Sequence, residues 1–194
     1  LNSVTEHWTQ FAIAGPKARQ LLNAVLNEPL KDVQWPFMSC GAVNVLGVWG
    51  RLFRISFSGE LGFELAVPSR FGDSLFRILI AKAEEYGGCV YGMEALNVLR
   101  VEKGFITHAE IDGRVTALDL GLQRLLSHKK DCVGKTASER PGLMDPERPS
   151  LVGLKTVGTV KQLTAGAHLF NEEDPAKSAH DQGFITSVAY SPVL

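Results

Sequence analysis

The chain has 194 residues, 45% of them hydrophobic, with 20 Lys and Arg against 21 Asp and Glu and a formal net charge of -1. That balance gives no drive toward nucleic acid or an anionic membrane surface, and no apolar run nears the ~18 residues of a spanning helix. The length allows one sizeable domain, or one with a smaller companion.

Residues 8–14 read as a buried strand, and Gly15-Pro16 opens a helix carried by Ala18, Leu21, Leu22, Val25 and Leu26. Residues 42–48 and 51–57 read as paired strands joined between Gly47 and Gly50, and 62–67 as the next strand. Gly59 and Gly62 then bound a tight bend that holds Glu60, with Glu64 just past it between Phe63 and Leu65. A helix follows at 70–85 and stops at Gly87-Gly88. Cys89-Val-Tyr91 reads as a short strand, and Gly92 opens a helix to Lys103 that Gly104 ends. Helices alternating with paired strands predict an α+β fold, an antiparallel sheet with helices packed on it.

From 138 to 149 the composition shifts to three prolines and a glycine among charges, the mark of a linker. Residues 151–154, 167–170 and 183–190 read as short strands of a small β-module. The expected organisation is a partial domain over 1–137, a linker over 138–149 and a truncated β-barrel module over 150–194. The chain starts without Met and stops just after an apparent strand, so it reads as a portion of a longer protein.

Several chemistries lack their residues. Gly59 and Gly62 have no third glycine and no following helix, so they are not a dinucleotide fingerprint. Ser56 and Ser58 do not make Gly-x-Ser-x-Gly. His7, His108, His128, His168 and His180 show no metal-helix spacing and no cysteine neighbour, so no metal site is expected. Cys40, Cys89 and Cys132 are scattered and odd in number, which suits a reduced, cytoplasmic protein. His128-Lys-Lys-Asp131 is a small basic cluster that reads as a solvated turn. Glu94, Asn97 and Arg100 share the polar side of the 92–103 helix. On these residues alone a plain β-bend explains 54–64 better than a site does, although a carboxylate among apolar neighbours needs donors if it is buried.

Three motifs in order change that balance. Phe57-Ser-Gly-Glu-Leu-Gly-Phe-Glu64 resembles the Tyr-Thr-Gly-Glu-Asp-Gly-x-Glu signature of the aminomethyltransferase (glycine-cleavage T-protein) folate-binding family. Leu99-Arg-Val-Glu-Lys-Gly104 resembles its Leu-Arg-Leu-Glu-Ala-Gly, and Thr186-Ser-Val-Ala-Tyr-Ser-Pro-Val-Leu194 its C-terminal Thr-Ser-x-x-x-Ser-Pro-x-Leu. Within the family, Tyr91-Gly-Met-Glu-Ala-Leu-Asn-Val-Leu-Arg-Val-Glu-Lys-Gly104, Asp112-Gly-Arg-Val-Thr116 and Lys129-Lys-Asp-Cys-Val-Gly-Lys135 are similar to the branch of heterotetrameric sarcosine oxidase alpha subunits.

The resemblance implies tetrahydrofolate as the small-molecule ligand, in a site that includes Glu64, Phe57, Glu60 and Tyr91. Glu64 matches the glutamate that hydrogen-bonds the pterin ring, and Phe57 matches a tyrosine, keeping the ring and losing the hydroxyl. No catalytic residue is implied within these positions. The family's active aspartate falls upstream of Leu1 and a C-terminal tyrosine beyond Leu194. Leu96 stands where the T-protein has arginine, and Leu61 replaces an aspartate. The branch implies beta, gamma and delta partner subunits, with FMN, FAD and NAD held elsewhere in the complex. A free-standing aminomethyltransferase, or a fold that has lost its ligand, are the rival expectations.

Overall fold

A computed structural model describes every residue except His128, Val160 and Lys161. The basic cluster at 128–131 therefore falls partly outside the described residues. The chain divides into two compact units, Leu1–Phe105 and Ile106–Leu194.

The first unit is a four-stranded antiparallel sheet with two helices packed on one face. Its strands are β1 (Trp8–Ala14), β2 (Cys40–Val45), β3 (Val48–Phe53) and β4 (Gly62–Pro68), in the order β1-β4-β3-β2. Alternation decides the faces. Ile13 pairs with Phe63, Phe11 with Leu65 and Leu65 with Leu52, so these point to one side. Against that side pack α1 (Ala18–Asn23), through Leu21 and Leu22, and α2 (Gly72–Glu85), through Leu75 and Leu79. Leu22, Leu52 and Leu65 are fully buried there. The other side carries the rows Ala12–Glu64–Phe53 and Gln10–Ala66–Arg51.

The hairpin differs from its sequence reading by two to four residues. β2 and β3 are joined through Leu46 and Gly47, both at positive φ (50° and 91°), and Asn44 Oδ1 accepts the Gly47 N–H at 2.8 Å. A two-residue turn of that hand suits the strand twist, and it ends β3 at Phe53. Residues 54–61 are therefore an eight-residue connection, not the end of a strand and a tight bend. The 89–91 segment is not a strand either; among the described residues it has no sheet partner. From it the chain enters α3 (Met93–Lys103), which ends at Gly104 as expected.

The second unit is mostly loops. It holds the single-turn α4 (Lys135–Ser138) and a two-residue pair of strands, β5 (His168–Leu169) and β6 (Gly183–Phe184). Residues 151–154 form no strand, and 183–190 contributes only its first two residues to one. Side-chain clamps around carboxylates carry much of the order instead. Arg148 Nε donates to Asp119 Oδ1 at 2.9 Å and its Nη2 to Oδ2 at 2.7 Å. Thr116 adds its N–H at 2.7 Å and its hydroxyl at 3.1 Å. Arg148 stands in the proline-rich 138–149 stretch, which is thereby tied down rather than free. Glu110 is held the same way by the N–H (2.7 Å) and hydroxyl (3.1 Å) of Thr107 and by the Ser187 hydroxyl.

Candidate functional site

Glu64 sits on the face of the sheet away from α1 and α2 because the register of β4 puts it opposite Ala12 and Phe53. It is half-buried. Its carboxylate accepts a hydrogen bond from the Gln10 side chain, the diagonal neighbour across the strand pair. Arg51, in the row beside it, is otherwise engaged: its guanidinium carbon lies 4.1 Å from the centre of the Trp8 ring.

Next to Glu64 a small cavity of about 60 Å³ opens, between β1, the 54–61 connection, β4 and the start of α3. Glu64, Phe57, Tyr91, Ser56, Ser58 and Leu96 all line it. Two alanines, Ala12 and Ala14, and Gly62 leave it room at the sheet. Three of the four residues implied by the sequence thus come together. Glu60 does not join them; it is exposed in the connection, outside the lining.

The connection is held in place by specific contacts. The Gly15 N–H donates to the Leu61 carbonyl at 2.9 Å, and Arg54 Nη1 donates to the Gly62 carbonyl at 2.9 Å. Gly59 adopts φ +83°, and a Cβ there would meet Lys103 Cγ at 2.7 Å. Its lack of a side chain therefore lets the connection lie on the end of α3. Phe57 stacks on Phe105 with ring centres 6.3 Å apart, which fixes the ring at the cavity rim.

The polar groups have distinct capacities. A carboxylate accepts only, whereas Ser and Tyr hydroxyls both donate and accept. Burial, and after it the negative charge of Glu64, pushes the Tyr91 phenol above its ordinary value, so it keeps its proton near neutrality and can donate. Ser58 is 6% exposed, and its oxygen lies 3.4 Å from that of Ser56. No lysine, arginine or histidine lines the cavity among the described residues. A ligand that brings N–H donors on a flat apolar frame complements this set: donors to Glu64, ring faces to Phe57 and Leu96. The cavity is well below the ~300–1,000 Å³ of ligand pockets, so a bicyclic ring would occupy it only in part.

Ser58 and Gln10 are not legible in the sequence as site residues. Ser58 falls away with the missing hydrolase motif, and Gln10 looks like any solvent-facing strand residue. A Ser-Gly pair at a strand entrance, and the two-residue offset of Gln10 from the partner of Glu64, are the signals that register supplies.

Residues 1–130 match the family described as "GCVT N-terminal domain". The chain belongs to that family. The sarcosine oxidase subunit alpha of Rhizobium meliloti (strain 1021) is 43% identical over 195 residues, covering 99% of this chain and 20% of that protein. The mitochondrial dimethylglycine dehydrogenase of Mus musculus is 30% identical over 140 residues, 71% of this chain and 16% of its own length. The aminomethyltransferase of Thermoanaerobacter sp. (strain X514) is 25% identical over 202 residues, 100% of this chain and 51% of its own. The chain thus spans about a fifth of the sarcosine oxidase alpha subunit it matches. The GCVT family placement agrees with the α+β sheet and helices seen here. Among the described residues no helix is long and apolar enough to cross a membrane, no group of three or more potential ligands could hold a metal, and the three cysteines are free and exposed.

Proposed function

We propose that this chain is the tetrahydrofolate-binding portion of a sarcosine oxidase alpha subunit. The observation that carries the proposal is the convergence of Glu64, Tyr91 and Phe57 on one cleft, on a chain 43% identical to such a subunit along nearly its whole length. Glu64 accepts hydrogen bonds from the pterin's ring N–H and amino group. Phe57 and Leu96 pack its faces, and the protonated Tyr91 donates to an acceptor on its edge. Tetrahydrofolate, when bound, supplies the nucleophilic nitrogen that takes up the one-carbon unit. The chain's own work is to hold that ring where a reactive imine released by oxidation of the N-methyl group of sarcosine meets nitrogen before water, which is an effective-concentration effect.

Oxidation itself, with its flavin and nicotinamide groups, belongs elsewhere in a complex with beta, gamma and delta subunits, in the cytoplasm. Glu60, exposed in the 54–61 connection and outside the cavity lining, is left as a contact to parts of the ligand beyond the cavity. Residues 1–137 are the folate domain, and 150–194 part of a small β-barrel. The barrel reading is supported by the β5–β6 pair and by the bonds Gly166 N–H to Ile185 carbonyl (2.7 Å) and Ile185 N–H to Ala167 carbonyl (2.9 Å) that extend it. Leu96 in the lining, where the T-protein has arginine, weighs against a free-standing aminomethyltransferase. Calorimetric titration of the intact protein with tetrahydrofolate tests the proposal: saturable binding is expected, and a flat titration would overturn it.

A further inference from the structure

We infer that Gln10 is a positioning residue for Glu64, fixing the carboxylate that the ligand reads; this rests on the folate reading above. Gln10 pairs with Ala66 across β1 and β4, two residues along from the Ala12–Glu64 pair. Both side chains therefore rise from the same face, at the diagonal spacing that long side chains can bridge. The Gln10 amide donates to Glu64 Oε2, and Gln10 does not line the cavity that Glu64 faces. It acts on the carboxylate from outside the ligand's space.

The arrangement divides the work of one carboxyl group. Two oxygens offer about four acceptor directions; Gln10 takes one on Oε2 and leaves the rest for the ligand. A glutamate on a strand otherwise has several rotamers to choose from. The neighbouring cation does not hold it by charge: Arg51 lies over Trp8. A neutral amide gives orientation without neutralising the carboxylate, so the group stays a full-strength acceptor for a donor-rich ring edge. The same side chain on an unrelated exposed strand would have nothing to orient. Here Gln10 is exposed, so its loss leaves the core untouched.

A double-mutant cycle on the intact protein tests this, with tetrahydrofolate titration and thermal melting as readouts. Gln10→Met keeps the length and removes the donor. We expect it to raise Kd roughly tenfold, the size of one hydrogen bond to a charged group, with Tm unchanged. In a Glu64→Ala background the same change is expected to have no further effect on Kd, because the group it orients is gone. An unchanged Kd in Gln10→Met while Glu64→Ala weakens binding overturns the positioning role and leaves the folate reading standing. A matched loss of Tm and affinity, or an equal effect of Gln10→Met with and without Glu64, makes Gln10 a structural residue only and also overturns it. If Glu64→Ala itself leaves binding unchanged, the folate reading fails and the inference with it.

Discussion

The hydroxyl of Ser187 donates to the carboxylate of Glu110, 77 residues earlier in the chain. Ser187 belongs to the Thr-Ser motif near the C-terminus, so that motif has a structural role, closing the ring of donors around a buried acid. Glu110 is only 6% exposed, and a buried carboxylate short of a donor is costly. Ser187→Ala is expected to destabilise the protein by about 1.5–3 kcal/mol, the range for hydrogen bonds to charged groups. Ser187→Thr, which keeps the hydroxyl, is expected to recover most of it. Thermal melting of the three proteins checks this; equal Tm values for Ser187→Ala and wild type would remove the role.

Acid should loosen the second unit through two carboxylates. Burial alone would raise Glu110, yet donors from Ser187, Thr107 and Thr186 outweigh it and hold the group at about 2, against an ordinary 4.5. Asp119 is brought down to about 2 from 3.8, first by the Arg148 guanidinium, with the Thr116 N–H and hydroxyl adding to it. Both are lowered in the folded state, so their stabilisation is complete above the ordinary values and is lost as pH falls toward 2. Tm is expected to fall steeply between about pH 4.5 and 2. In the Glu110→Gln, Asp119→Asn double variant the slope should flatten while stability at neutral pH drops. An unaltered slope would mean that other groups carry the acid response.

Gly59 is expected to resist substitution for two separable reasons. Its φ of +83° strains any Cβ-bearing residue, by about 1–2 kcal/mol. The new Cβ would also meet the Lys103 side chain at 2.7 Å. The atoms it would meet are Lys103 Cγ, Cδ and Cβ, at 2.7, 2.8 and 2.9 Å, so Gly59→Ala with Lys103→Ala should regain the Cγ and Cδ part of the contact and keep the Cβ contact and the backbone part. Urea unfolding of the single and double variants separates the two. A Gly59→Ala as stable as wild type would mean that the connection does not rest on α3.

The centre of the sheet should be the most sensitive place in the first unit. Leu65 is fully buried between Phe11 and Leu52. Leu65→Ala is expected to cost about 2–5 kcal/mol, read as a lowered urea midpoint. A loss under about 1 kcal/mol would show that the site collapses around the gap.

Periodicity is enough to find β1, β4, the buried face of α2 and the Ala18, Leu21 and Leu22 face of α1, because those signals come from local alternation against one core; Val25 and Leu26, read as helical, lie past the end of α1, where Leu26 bridges Val45. It misplaces the hairpin because Leu46, an ordinary apolar residue, takes a positive φ that no propensity favours. The second unit resists reading for another reason. It is ordered by Thr107-x-x-Glu110 and Thr116-x-x-Asp119, a spacing that resembles a helix cap but here closes loops, and by partners from far along the chain. Glu64, Phe57 and Tyr91 are legible through motif likeness, since each stands inside a motif. Gln10 and Ser58 need the strand register and the path of the 54–61 connection, which no local pattern contains.

Glu64 remains the residue on which the functional account turns. Titration of the intact protein and of Glu64→Ala with tetrahydrofolate, with melting curves to show that both are folded, tests it most directly. Saturable binding by the wild type and at least roughly tenfold weaker binding by the variant, at equal Tm, is the predicted result. Equal affinities in the two folded proteins would contradict it.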